Sequence, residues 1–356
     1  MRECVKALGR FDTRELTLVD REWRGPQPGP EVVALDRVPR WTMATSMAPE
    51  LAAARGVSRR CWSSAFDSSA LPPWFVDGFA ELTARRAVAP LFERANNPPG
   101  FAFLEERYFA DFVPRFVRIR LMSETDGAPV TAYRTRRAFG VDPRSASPSD
   151  RDALAGKMML TLGTLERWVG RPVFDEIVAE FVRVGKERPP QLADFERVAS
   201  SASSQQLGWF FDQAFRSSGT FDYGVDALAS EPDSEGAFVT TVIVRRYGEA
   251  QFTGASGPRI GEFDNGRGIS LRLAFADGQQ RTDWWDGRDQ RRTFRYRSPA
   301  AAVSATVDPE RVLLLDLEQT NNSRTLGPRQ RAAAMRWASI YLLWLEHLLL
   351  SYASLA

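Results

Sequence analysis

Histidine is almost absent from this 356-residue chain, which holds a single one, His347. That scarcity removes the commonest acid–base and metal-ligating side chain from nearly the whole sequence. A Ser-His-Asp or Cys-His arrangement would have to be built on a residue in an apolar stretch near the end. Cysteine is nearly as scarce: Cys4 and Cys61 are too few for a disulfide framework. With no imidazole to activate it, Cys61 reads as a small buried hydrophobe rather than a nucleophile. Excess charge is missing too. Forty-seven Lys and Arg offset 45 acids, leaving a net charge of +2 with no basic stripe, so no nucleic-acid partner is expected. No glycine-rich loop follows a strand to cradle phosphate, and Asn265-Gly-Arg-Gly268 is a turn signal. The first ten residues hold no apolar run of signal-peptide length. This puts the chain on the cytoplasmic side, or outside the cytoplasm if the product begins upstream.

What is present is a core. Hydrophobic residues make up 44%, with 23 Phe and 10 Trp, enough for aromatic-rich packing in two or three domains. Glu15–Asp20 and Glu31–Asp36 read as short strands around a Pro/Gly loop, and Pro49–Ala65 and Pro73–Leu91 as helices. Phe103–Leu121 is aromatic-rich, Ser123–Asp150 reads as a long polar loop, and three or four helices fill residues 151–217. From about residue 221 the pattern turns to alternation. Phe238–Arg245, Ser270–Phe275, Thr293–Arg297 and Arg311–Asp316 read as strands of an antiparallel sandwich. Asp283 and Asp286 flank Trp284-Trp285 in an expected turn, with a sugar-contacting patch as the alternative. Asn321-Asn322-Ser323 has the form of a glycosylation sequon.

The C-terminal stretch Met335–Ala356 is apolar for about 20 residues from Trp337, long enough to cross a bilayer of roughly 30 Å. Arg324, Arg329, Arg331 and Arg336 precede it, while Glu346 and His347 near its centre oppose insertion. Two readings stay open: a membrane-attached helix over residues 331–354 extending from the sandwich, or a helix packed on the body or a partner. His347 reads as an interhelical hydrogen-bond partner rather than a metal ligand.

One stretch carries more. Leu71-Pro-Pro-Trp-Phe-Val-Asp77-Gly-Phe-Ala-Glu81 resembles the W-L-N-E-G-F-A helix of aminopeptidase N-like zinc metallopeptidases, the gluzincins with H-E-x-x-H followed by a Glu. The resemblance places Asp77 at the third zinc ligand. Counted back by the family spacing, the two His positions fall on Ala54 and Ser58, and the general base on Arg55. A one-residue shift puts Arg55 and Arg59 at the His positions and Gly56 at the base. Neither register offers a neutral nitrogen ligand, and both put a cation where a dication belongs. The helix Arg151–Val169 resembles the family's Tyr-x-Lys-Gly helix, with Ala155, two before Lys157, in place of the oxyanion-stabilising Tyr. The family's G-x-M-E-N strand would fall near Gly25–Asp36, where Glu31 is out of register. Leu207-Gly-Trp-Phe-Phe-Asp-Gln213 is similar to a family helix whose final Trp is here Ala214, and Asp308–Asp316 to the end of its sandwich.

The resemblance spans roughly residues 10–325, without the family's N-terminal β domain. It implies an α+β chain: a mostly helical, thermolysin-like catalytic-type domain over residues 1–220, an antiparallel β-sandwich over 221–320 and an apolar helix over 328–356. It further implies a scaffold whose zinc ligands, and hence cofactor, are gone. The function expected is that of a pseudoenzyme, a membrane-attached binding or assembly module. Its partners would be a membrane or membrane protein at the C-terminal helix, and a protein or peptide at the vestigial cleft. The alternative is a divergent hydrolase with ligands supplied from elsewhere. Two structural expectations follow. The helices carrying Ala54–Ser58 and Asp77 pack together through Leu51, Val57, Phe75, Phe79 and Leu82. Asp77, left in a former metal pocket, pairs with Arg55 or Arg59.

Overall fold

The computed structural model describes residues 4, 5, 8, 16–20, 32–35, 48–65, 71–93, 128–135, 150–254, 268–327, 334, 338, 341, 342 and 345. They fall into two compact units, Met1–Gly127 with Arg329–Ala356, and Ala128–Pro328. Helices and antiparallel sheets together make the chain α+β.

In the first unit β1 (Thr17–Asp20) pairs in parallel with β2 (Val32–Leu35). Helices α1 (Ala48–Ala65) and α2 (Pro73–Glu93) pack on each other, and β2 contacts α1. Pro73 suits the first turn of α2 because a helix leaves its opening N–H groups unbonded anyway. Cys4, Val5 and Leu8 are helical. Cys4 forms a disulfide with Cys61 of α1, which corrects the expectation of a solitary buried thiol.

The second unit opens with α3 (Ala128–Thr135), set inside the stretch expected to be loop. Val130 and Tyr133, three apart on one face, are buried, which is what stabilises so short a helix. Then come α4 (Arg151–Val169), α5 (Arg171–Glu187), α6 (Leu192–Ser203) and α7 (Gly208–Phe215). Helix α4 is buried almost all round, whereas α5 hides one stripe, Phe174, Ile177, Val178, Phe181 and Val182, at helical spacing.

The sandwich follows. A three-stranded sheet runs β3 (Tyr223–Pro232), β4 (Phe238–Arg246), β7 (Arg291–Ser298). A four-stranded one runs β6 (Gln280–Trp285), β5 (Ile269–Phe275), β8 (Ala302–Val307), β9 (Ser323–Thr325). Thr240, Val242 and Val244 alternate inward on β4, as a half-buried strand requires.

Two sequence expectations change here. Arg311–Asp316 is not a strand: Asp308 and Arg311 have positive φ, and the Asp308 carboxylate accepts the N–H groups of Val312 and Leu313 at 2.9 and 2.8 Å. That turn drives Leu313, Leu314 and Leu315 inward, so the apolar run is a plug. Asp283–Trp285 belongs to β6 rather than a turn, with Trp285 buried edge-on to Tyr223. The sequon asparagine Asn321 donates to Asp222 at 2.8 Å and lies against Gly224.

The plug joins helices to sandwich. Leu314 N–H donates to Thr164 Oγ1 at 3.0 Å, Tyr133 to the Leu315 carbonyl at 3.2 Å, and Gln213 Nε2 to the Gln251 carbonyl at 2.6 Å.

The expected C-terminal apolar helix is not supported. Ala334, Ala338, Tyr341, Leu342 and Leu345 are helical, but the rest of that segment, with Glu346 and His347, lies outside the described residues. Among the described residues, no helix is long and apolar enough to cross a membrane. Phe103–Leu121 and the stretch around Glu31 also lie outside, except for β2.

Candidate functional site

Helices α1 and α2 hold four of the five candidate site positions. Apolar contacts fix the pair at both ends. Leu51, Ala84 and Val88 cluster with Ala54 packed against them, and at the other end the Trp62 ring lies 4.7 Å from Phe79, itself 5.2 Å from Phe75. The Trp62 indole donates to Thr83 Oγ1 at 2.8 Å, so this anchor is satisfied as well as packed. Of the expected interface residues, Leu51, Phe75 and Phe79 are buried, and Val57 and Leu82 half-buried.

Between these anchors the interface is charged. Residues 55 and 59 on α1, and 77, 81 and 85 on α2, are each four apart, so each set forms one stripe. The contacts run in opposite order along the two helices, Arg55 meeting Glu81 and Arg59 meeting Asp77. Arg55 holds Glu81 in a fork: Nε donates to Oε2, and Nη2 to Oε1 at 2.8 Å. Arg85 Nε adds a bond to the same Oε1 at 3.0 Å. Arg59 Nε lies 3.6 Å from Asp77 Oδ1, so Asp77 meets one of the two expected arginines while the other is committed to Glu81.

The Glu81 side chain is 3% exposed and that of Arg55 13%. Burial pushes the Glu81 carboxyl up, but bonds and charge from Arg55 and Arg85 outweigh it and hold the pKa below the ordinary value. This carboxylate stays ionised and spoken for.

Zinc needs neutral nitrogen, thiolate or carboxylate ligands with free lone pairs. Ala54 has none, Ser58 is a buried hydroxyl, and Arg55 and Arg59 carry guanidinium groups that do not deprotonate in proteins. The residues present do not fit the metal, and Arg55 cannot act as a base. What the geometry does is lock two helices in register through charge.

The fifth position, Ala155, is a buried residue of α4 in the second unit, with only a methyl group where the family has a phenol. Nearby Lys157 is buried and its Nζ donates to the Ser217 carbonyl at 3.0 Å, a tether between α4 and the end of α7. Sequence reasoning missed Glu81 and Arg85, the hub of the network. The signal was there, since both continue the four-residue spacing from Asp77 on a helix otherwise apolar on that side.

No family model and no curated protein matches the chain. Among solved structures, the Legionella pneumophila aminopeptidase A in complex with aspartic acid is 12% identical, with a TM-score of 0.40. The match covers 76% of this chain and 27% of that one, so the chain spans about a quarter of its length. Similarity at that level carries no argument about activity.

Proposed function

We propose that the chain is an aminopeptidase-like scaffold without peptidase chemistry, a pseudoenzyme that serves as a binding or assembly module. One observation supports it above the rest: Arg55 and Arg59 pair with Glu81 and Asp77 across the helix pair on which the sequence resemblance centres. An arginine at the position read as the general base, forked to a buried carboxylate, has exchanged a reactive centre for a structural one. On this reading the scaffold works through its surfaces. Attachment to a membrane or membrane protein runs through the C-terminal segment, where Tyr341 and Leu342 are 60% and 62% exposed.

Metal analysis and turnover of aminoacyl p-nitroanilides test the reading together. The expected result is zinc far below one equivalent per chain, with no chelator-sensitive hydrolysis. One equivalent of zinc, removed by phenanthroline together with activity, would overturn it in favour of a hydrolase with unfamiliar ligands. For attachment, the full chain should sediment with membranes and a version ending at Gly327 should not. Equal solubility of both without detergent removes the anchor.

A further inference from the structure

The disulfide between Cys4 and Cys61 has its Cα atoms 6.2 Å apart and joins residues 57 apart in sequence. Both cysteines are buried, at 1% and 0% exposure. Cys4 and Leu8 lie one helical turn apart and are both buried, while Val5 between them is 45% exposed. The N-terminal turn therefore has an inward side, and the cysteine is on it. At the other end, Cys61 precedes Trp62, the residue that anchors α1 on Phe79 and Thr83. The bridge thus ties the N-terminal turn to the helix that carries Arg55 and Arg59.

Among the described residues, no group of three or more His, Cys, Asp and Glu gathers as a metal site would need. Reducing pools in a cytosol keep such a pair as thiols, whereas oxidising compartments form and preserve the bond. We propose that Cys4–Cys61 is a structural disulfide and that this unit completes its folding in an oxidising compartment, which puts the module's binding partners outside the cytosol. Of the two compartments the sequence left open, this favours the one outside the cytoplasm, and it does not rest on the proposed function: an active hydrolase could carry the same bridge.

The chemistry is thiol–disulfide exchange with a disulfide of an oxidoreductase. One cysteine thiolate attacks the carrier disulfide, forming a mixed disulfide and releasing one carrier thiolate. The second cysteine thiolate then displaces the other carrier sulfur. The chain loses two electrons and two protons, and the carrier departs as a dithiol. Once α1 and the N-terminal turn pack, burial keeps reductants from the sulfurs until the unit opens locally.

The test uses the unaltered chain in its own cells. Cells are quenched in acid, alkylated with N-ethylmaleimide before any oxidation, and the protein is analysed by non-reducing mass spectrometry. The expected result is a linked peptide pair containing Cys4 and Cys61 and no maleimide on either residue. Maleimide on both cysteines would overturn the proposal. With purified protein, dithiothreitol should lower the melting temperature of the wild type and leave that of a Cys4→Ser, Cys61→Ser double variant unchanged. A wild type whose melting temperature ignores complete reduction would overturn the structural role. The trapping needs no variant, so a failure of the double variant to fold cannot rescue the idea.

Discussion

Each unit buries a carboxylate, and the two do it in opposite ways. Glu81 of the first unit exchanges water for two guanidinium groups, Arg55 and Arg85. Asp316 of the second unit, 1% exposed, exchanges it for the Asn322 amide at 2.8 Å and the Tyr223 backbone N–H. Burial opposes ionisation in both. For Glu81 the arginines outweigh it and the pKa falls. For Asp316 burial wins over the Asn322 bond, the charges of Asp222 and Asp308 add to it, and the pKa rises to about 8. Burial depth therefore does not fix the sign of the shift; the nature of the replacement partner does. The first unit holds its carboxylate as an ion and the second holds its own as an acid, which suits a helix pair fastened by charge and a joint fastened by apolar packing.

The largest expected effect breaks the first half of this contrast. Glu81→Ala leaves two arginines facing an empty interface, and removal of one partner from a buried pair costs about 3–5 kcal/mol. Urea denaturation should show that loss. A cost of about 1 kcal/mol or less, the range of exposed ion pairs, would mean that the network is not what holds α1 to α2. The triple change Arg55→Leu, Glu81→Leu, Arg85→Leu should recover most of the loss, since apolar replacements of a whole buried ionic set are often neutral or stabilising.

The second effect is a difference in slope with pH. The folded Asp316 carboxyl binds its proton more tightly than the unfolded chain does. Its contribution is complete below the ordinary value of 3.8, is lost progressively as pH rises to about 8, and then levels off. Glu81 runs the other way: its contribution is complete above the ordinary value of 4.5 and is lost as pH falls below it. Asp316→Asn should flatten that decline and gain roughly 1–3 kcal/mol near its upper end, on the scale of the desolvation penalty of one buried polar group. Parallel stability curves for wild type and variant between pH 4 and pH 8 would show that Asp316 titrates normally.

The contrast was only half legible in the sequence. Asp77 drew attention because the sequence resemblance places it at the third zinc-ligand position, and the two helices could be paired from Leu51, Phe75 and Phe79. Glu81 did not stand out, because an acid four residues along a helix ordinarily faces solvent. Only Arg55, on a helix 26 residues earlier in the chain, turns it inward. The strands β4, β5 and β7 were readable from alternation, which is local. The plug Leu313–Leu315 was not, because an apolar run beside the backbone-capping Asp308 has the composition of a strand and the φ angles of a turn. Nothing local could have joined Cys4 to Cys61, since a disulfide depends on where the fold brings the chain.

A third test sharpens the apolar side of the comparison. A Cβ on Gly163 of α4 would sit 2.7 Å from Leu314 Cδ1, so the glycine is the space into which the plug fits. Gly163→Ala should cost about 1–3 kcal/mol by overpacking, despite the better helix propensity of alanine. Gly163→Ala with Leu314→Val should recover part of it. Additive losses would show that the two sites do not share the space.

The smallest effect adds a third kind of carboxylate. Asp194 accepts the Gln191 N–H at 2.9 Å at the start of α6 and pairs with Arg188, whose side chain is half exposed. The Arg188 bond outweighs burial and, with the Gln191 N–H, brings the carboxyl pKa down to about 2. Its contribution is complete above the ordinary 3.8 and is lost as pH falls toward 2, the same sense as Glu81 and the reverse of Asp316. The ion pair to an exposed arginine is worth little by itself, so most of the effect lies in the cap. Asp194→Ala should cost about 1 kcal/mol, Arg188→Ala clearly less, and Asp194→Asn, which keeps an acceptor for the Gln191 N–H, should fall between. If Arg188→Ala costs as much as Asp194→Ala, the charge pair and not the cap holds the helix start, and Asp194 belongs with Glu81 as a carboxylate kept in place by its arginine.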